Sequence, residues 1–531
     1  MKPRWISAVF VAAVLAFSFT PSRTSAAQSC EALASLKLPD TTITSVKTVP
    51  AGLFTIPGPP PPPGAPTREP VMLPAFCRLE ATIQPAVKFE VWLPASDWNG
   101  NLQAVGNGGF AGSITYAAMA TALKQGYATA STDTGHTGGD ADWALGHPEL
   151  VVDYGYRAIH EMTLKAKKII ESLYGTGPRI SYFNGCSNGG RQGLMEAQRY
   201  PQDYDGILAG APANYATHLY PGGMLWLVLA TLKDPENYIP TSKLPAIESA
   251  VLAACDARDG LKDGLIDDPR KCKFDPAVLL CEKDDSPSCL TSKQVEALKN
   301  IYAGAPPLKG KPIFPGKMPG GERGWGTYMP TASKNISYNL SVGFFKYMVY
   351  EDPNWDYTTW DFAKGVPYTE EKLARILDAV DPDLKAFRAH DGKLLLYQGW
   401  SDPAVAPLNA INYYKSVVAT LTKTDEQTFE PETDIFYRSN AKVEDGVRLF
   451  MVPGMSHCGG GPGPNKFDAF GPLVTWVEHK QAPERIIASH STGETVDRTR
   501  PLCPYPMTAQ YSGQGSIDDA ANFVCRMPNN N

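Results

Sequence analysis

What this 531-residue chain lacks narrows its role. It has no basic block: 49 Lys and Arg stand against 55 Asp and Glu, a net charge of -6, so nucleic acid is not the expected partner. Past the N-terminus, no run is long and apolar enough to cross a bilayer. Its one early glycine-rich loop, Gly106-Asn-Gly-Gly-Phe-Ala-Gly112, is not followed by G-x-G-x-x-G or G-K-[ST], which argues against a nucleotide cradle. Charge and membrane span set aside, the remaining content is that of a large globular protein. Hydrophobic residues make up 43%, enough for a sizeable core, and the length allows more than one domain.

The N-terminus reads as a leader. Lys2 and Arg4 precede an apolar run from Ile6 to Phe19, then Thr24-Ser-Ala-Ala27. That is a signal peptide over residues 1–27, and it directs the chain to a secreted or periplasmic location. The apolar run is short for a membrane anchor, which needs about 20 residues. Ten cysteines follow, and an even number in an oxidising compartment implies disulfides. Short-range closure favours Cys30–Cys77, Cys255–Cys272, Cys281–Cys289 and Cys503–Cys525. Pro57-Gly-Pro-Pro-Pro-Pro-Pro63 is a stiff exposed spacer. Asn335-Ile-Ser and Asn339-Leu-Ser fit the glycosylation sequon, a motif too common to carry weight alone.

The chain is organised around Tyr182-Phe-Asn-Gly-Cys-Ser187-Asn-Gly-Gly190. Arg179–Phe183 has strand composition, and Gln192–Arg199 is good helix. Between them Gly185-x-Ser187-x-Gly189 matches the nucleophile elbow, where small neighbours let a helix pass close to a strand. Further strands are expected at Lys88–Leu93, Leu102–Val105, Tyr127–Thr132, Ile207–Ala211, Lys393–Tyr397 and Arg448–Val452, with a long helix over Val151–Tyr174. This alternation predicts a doubly wound, largely parallel α/β sheet. From Ala211 to Lys393 the rhythm breaks into a stretch rich in Asp, Gly, Pro and Trp. It is expected to be an inserted lid domain over 213–390, dividing a catalytic domain of 28–212 and 391–531.

A serine nucleophile needs a base, and the base needs a carboxylate to orient it. Of the later histidines His390, His457, His479 and His490, only His457 sits in a glycine-rich loop directly after a strand. Asp402 follows the strand Lys393–Tyr397 and precedes Pro403. The order Ser187, Asp402, His457 is that of α/β-hydrolases. Cys186 precedes Ser187 and Cys458 follows His457, so a serine–histidine hydrogen bond would bring the two cysteines within bridging distance. A Cys186–Cys458 disulfide is therefore expected. The loop Gly106–Gly112 stands where α/β-hydrolases place a second oxyanion donor. In the lid, the stretch Cys255–Pro269 clusters carboxylates among glycines. Asp256, Asp259 and Asp263, with the Leu261 and Leu265 carbonyls, offer the hard oxygen ligands that Ca²⁺ takes. No histidine is present for Zn²⁺, and the spacing is not that of an EF-hand.

Together Gly185-Cys-Ser-Asn-Gly-Gly190, Ser401-Asp-Pro403, Gly454-x-x-His-Cys-Gly459 and the Asp256–Asp267 loop resemble the tannase and feruloyl esterase family, which includes mono(2-hydroxyethyl) terephthalate hydrolase. The resemblance implies an α/β-hydrolase fold with a large inserted lid domain. It further implies a Ser187–His457–Asp402 triad beside the Cys186–Cys458 bridge. Oxyanion donors would come from Asn188 and Gly109 of the Gly108-Gly109 loop. A structural Ca²⁺ would be held by Asp256, Asp259, Leu261, Asp263 and Leu265. The implied substrate is a small aromatic ester, a feruloyl ester first, then a gallate ester, then a terephthalate monoester. Trp325, Phe344, Phe345 and Trp355 are the lid aromatics compatible with that choice. The non-enzymatic alternative is a calcium-stabilised secreted binding protein, whose signature would be a missing triad member.

Overall fold

The computed structural model describes Met1 and residues 29–58, 69–329, 336–424 and 439–528. The leader, most of the proline run and the Asn335 sequon lie outside the described residues. At the centre is a nine-stranded sheet. Its strands in chain order are β1 (Thr41–Val49), β2 (Phe76–Ile83), β3 (Val87–Pro94), β4 (Asn101–Val105), β5 (Ala128–Thr132), β6 (Ile180–Cys186), β7 (Gly206–Gly210), β8 (Lys393–Gly399) and β9 (Val447–Val452). In space they run β1-β2-β3-β5-β4-β6-β7-β8-β9.

The expected parallel sheet extends from β5 to β9, where every pairing is parallel. β1, β2 and β3 add an antiparallel edge, so the sheet is mixed. Strands β4, β5 and β7 are buried at every position, as parallel strands covered on both faces must be. β1 is half-exposed along its length, as an edge strand should be.

The long helix expected at Val151 starts earlier, at Pro148, and is interrupted. A π-helical turn at Asp153–Arg157 separates Pro148–Val152 from Ala158–Tyr174. Such turns hold one extra residue and re-aim side chains; this one carries Tyr154 towards the cavity described below. The helix stops at Gly175, whose φ of 77° closes a left-handed cap.

Between Gly210 and Lys393 no described residue joins the main sheet. This stretch is mostly helical and has a core of its own, around Ile247, Val251, Leu298 and Trp325. Its first helices and Phe344–Phe345 pack instead with Phe110, Tyr154 and Val405 from the sheet side. The four short-range disulfides close as expected: Cys30–Cys77, Cys255–Cys272, Cys281–Cys289 and Cys503–Cys525. No described helix is long and apolar enough to cross a membrane.

Candidate active site

β6 ends at Cys186, and the helix Asn188–Arg199 begins two residues on. Ser187 between them has φ 63° and ψ -121°, a conformation that an L side chain rarely adopts and that marks a strained functional turn. The glycines around it are a steric requirement. A Cβ on Gly185 would lie 2.6 Å from the Gly189 carbonyl carbon, and one on Gly190 would lie 2.4 Å from the Gly210 oxygen.

β8 and β9 deliver the two partners. His457, in the loop after β9, places Nε2 2.8 Å from Ser187 Oγ and Nδ1 2.8 Å from Asp402 Oδ2. Asp402, just past the end of β8, is fully held. Its Oδ1 accepts the Ala404 and Val405 N–H groups at 2.8 and 2.9 Å, and Oδ2 also accepts Gln398 Nε2–H at 2.8 Å. Burial pushes the Asp402 pKa up, but the His457 ring and these N–H donors outweigh it and hold the group below its ordinary value. Asp402 is therefore an ionised acceptor. The proton between the two residues sits on His457 Nδ1, and Nε2 presents its lone pair to the Ser187 hydroxyl.

Cys186 and Cys458 are bonded, with Cα atoms 6.0 Å apart. The remaining late histidines lie elsewhere. His490 is bonded to Asp497 at the surface, His390 lies 3.7 Å from Asp205, and His479 ends the helix Phe470–His479.

A cavity of about 360 Å³ opens over Ser187 and His457. Gly109 and Asn188 lie on its wall, with Gly108 beside them, so the structure brings the two expected oxyanion residues to one place. The loop carrying Gly109 is rigidly set. Asn107 and Gln192 exchange two hydrogen bonds, at 3.2 and 2.7 Å. Ala111 N–H closes a turn onto the Gly108 carbonyl at 2.9 Å, with Gly109 at φ 56°. Tyr154 donates to the Gly109 carbonyl at 3.1 Å. His136 donates from Nε2 to the Phe110 carbonyl at 2.6 Å, and burial pulls its pKa down to about 4, so it stays neutral. Tyr154, His136 and Gln192 are anchors that sequence reasoning missed; nothing in their local pattern marks them.

The rest of the wall is mainly apolar, with Ala216, Leu219, Met224 and Val405, and it includes the aromatic rings of Tyr154, Tyr220 and Tyr328. This corrects the expectation for the lid aromatics. Trp325 is buried in the insert's own core, and Phe344 stacks behind Tyr220 at 4.1 Å rather than facing the cavity. Tyr328 meets the His457 ring edge-on at 5.7 Å. Close to the triad, Lys317 is 6% exposed and makes one long hydrogen bond, 3.4 Å to the Ala404 carbonyl. Burial pushes its pKa down to about 8, against the pull of Asp402.

The acidic loop lies outside the cavity. Asp256 accepts the Asp263 and Gly264 N–H groups, both at 3.0 Å, and Asp259 accepts Leu261 N–H at 3.0 Å. Asp263 takes Arg500 at 2.6 Å. The Asp256 and Asp259 carboxylates are thus turned to the loop's own backbone and Asp263 is shared with Arg500, and the three do not converge within 4.8 Å as a set among the described residues. The Leu261 and Leu265 carbonyls accept no hydrogen bond among the described residues. An all-oxygen set with two free carbonyls matches the donor chemistry of Ca²⁺.

Residues 72–526 match the family described as tannase and feruloyl esterase. An uncharacterised esterase of Xanthomonas campestris pv. campestris is 41% identical, across 94% of this chain and 92% of its own length. A probable feruloyl esterase B-1 of Aspergillus fumigatus is 32% identical across 85% of each. The crystal structure of feruloyl esterase B from Aspergillus oryzae superposes with a TM-score of 0.83 at 28% identity, covering 94% of this chain and 99% of that one. With the sheet order and the elbow already described, these matches place the chain in the tannase and feruloyl esterase family, as a carboxylic ester hydrolase of the α/β-hydrolase fold.

Proposed function

We propose that this esterase is a secreted serine hydrolase of aromatic (phenolic) acid esters, feruloyl esters first. The observation that carries the mechanism is His457, bonded at 2.8 Å to both Ser187 and Asp402. Ser187 Oγ attacks the ester carbonyl as Nε2 of His457 takes its proton. Asp402, which stays ionised, holds the ring and stabilises the imidazolium. The carbonyl oxygen becomes an oxyanion against the backbone N–H groups of Asn188 and Gly109, each worth about 3 kcal/mol to the transition state. His457 returns its proton to the leaving alcohol. Water then repeats the sequence on the acyl-Ser187 ester and frees the acid. The rings of Tyr154, Tyr220 and Tyr328 on an otherwise apolar wall suit a planar aromatic acyl group. Relatives named feruloyl esterase support the order of preference, with gallate esters second and terephthalate monoesters third.

The insert over 213–390 is read as the lid that shapes this cavity, since Tyr328 and Leu340 reach the wall from it. Ca²⁺ belongs in its acidic loop, held by Asp256, Asp259 and Asp263 and the Leu261 and Leu265 carbonyls. Its contribution there is structural, because the triad needs no metal.

The test is hydrolysis of methyl ferulate, methyl gallate and mono(2-hydroxyethyl) terephthalate by the protein and by Ser187→Ala. Turnover of methyl ferulate that disappears in the variant is the expected result. Activity confined to aliphatic esters would refute the substrate class, and activity surviving in Ser187→Ala would refute the nucleophile.

A further inference from the structure

The far end of the elbow helix carries a second cluster, remote from the cavity wall. Glu196 comes from that helix, His160 from the helix Ala158–Tyr174, and Asp203 from the turn leading into β7. One ligand atom from each lies within 4.8 Å of the other two. His160 Nδ1 and Asp203 Oδ2 are 2.6 Å apart. Tyr200 stacks on the imidazole at 3.7 Å and fixes its plane.

Glu196 is the anomaly. It is 1% exposed, and no N–H or hydroxyl donor reaches either of its carboxylate oxygens, whose side-chain neighbour is the Asp203 carboxylate. A buried carboxylate without a donor is strongly disfavoured unless a cation or a proton satisfies it. The cationic and hydroxyl groups nearby are otherwise engaged. Lys167 Nζ donates to the Asp203 backbone carbonyl, Tyr204 and Thr163 bond each other, and the Arg199 guanidinium lies over Tyr156 at 4.1 Å.

We propose that His160, Glu196 and Asp203 bind one divalent transition-metal ion of the zinc class. One imidazole nitrogen and two carboxylate oxygens are a donor set that Zn²⁺ takes, with water in the fourth position. Ca²⁺ prefers an all-oxygen shell of higher number and is not the expected occupant. The His160 side chain is 21% exposed, which gives an ion a way in. The site would clamp the nucleophile's helix to its neighbouring helix and to the entry of β7. It is a brace and takes no part in the ester chemistry.

The test uses the full, untagged chain, stripped with chelator and then saturated with Ca²⁺ so that the acidic loop is not available to zinc. Titration calorimetry with ZnCl2 reads stoichiometry and affinity. The expected result is one equivalent bound and a zinc-dependent rise in melting temperature. His160→Ala and Glu196→Gln should each weaken binding at least about tenfold and lose the thermal shift. If Glu196→Gln fails to fold, His160→Ala carries the comparison, because its ring is partly exposed. No stoichiometric binding by the native chain would overturn the proposal. So would equal binding by native protein and variants.

Discussion

Replacing Cys186 and Cys458 together by serine tests how the site is held. The bridge closes a loop with a sequence separation of 272. The loop-entropy relation assigns such a closure about 5.6 kcal/mol at 25 °C, an upper figure, since native bridges are worth about 2–5 kcal/mol in practice. Two other bridges, with separations of 17 and 8, lie inside this loop and shorten it too little to change the logarithm. The expected loss is therefore about 3–5 kcal/mol in guanidinium unfolding. The kinetic effect is separate. Each cysteine is chain neighbour to one partner of the 2.8 Å Ser187–His457 bond, and a misplacement of about 1 Å can cost a hundredfold in rate. Measured well below the melting temperature, kcat on methyl ferulate should fall about tenfold to a hundredfold. KM should change little, because much of the cavity wall comes from other elements. Thiol titration of the denatured variant checks that the other four bridges are intact. A loss below about 1 kcal/mol refutes the stability argument. A clear loss of stability with kcat within twofold refutes the claim that the bridge aligns the catalytic pair.

Asp402→Asn should fold, since two backbone N–H groups still anchor Oδ1, but its kcat should drop by about 10³–10⁴, the size seen when a triad aspartate no longer fixes the histidine tautomer; steady-state kinetics will show whether it does. Gly185→Ala places a Cβ 2.6 Å from Gly189 backbone, and the melting temperature should fall by the equivalent of about 3 kcal/mol or more. Lys317→Met should stabilise the protein at pH 7. Holding a buried lysine charged when its pKa is pulled from 10.5 to about 8 costs about 3 kcal/mol at 1.4 kcal/mol per pH unit. The sign gives a second check: the cost is full below pH 8 and fades as pH rises towards 10.5, so the advantage of methionine in urea unfolding should shrink over that window. Chelation should lower the melting temperature and added Ca²⁺ restore it, while Asp256→Asn/Asp259→Asn should show neither effect in differential scanning calorimetry.

The triad was legible because its signals are local. Gly185-x-Ser187-x-Gly189 is a strand–turn–helix junction whose sterics demand glycine, and Asp402 and His457 each follow a strongly apolar strand. β1 and β2 were not legible. Val46, Lys47, Thr48 and Val49 alternate poorly, and an edge strand with one half-exposed face imposes little pattern. The π-helical turn at Asp153 is invisible to periodicity, because one extra residue shifts the register without changing composition. The cavity wall was read wrongly for the same kind of reason. Trp325 and Tyr328 sit three residues apart in one segment, yet one fills the insert's core and the other meets His457. Only the packing of the insert against the sheet decides between them.

Arg500 binds Asp263 across 237 residues of chain, from the second strand of a hairpin (Ile486–Thr492 with Thr495–Leu502). On a ribosome or an export channel, that arginine emerges 237 residues after the aspartate it binds. Until it arrives, Asp263 lacks the arginine that the folded protein sets against it. The loop thus takes a partner from chain made after His457, and a chain clipped before residue 500 has every triad residue but lacks this ion pair. In this way an ion pair far from the chemistry depends on chain made after the last triad residue.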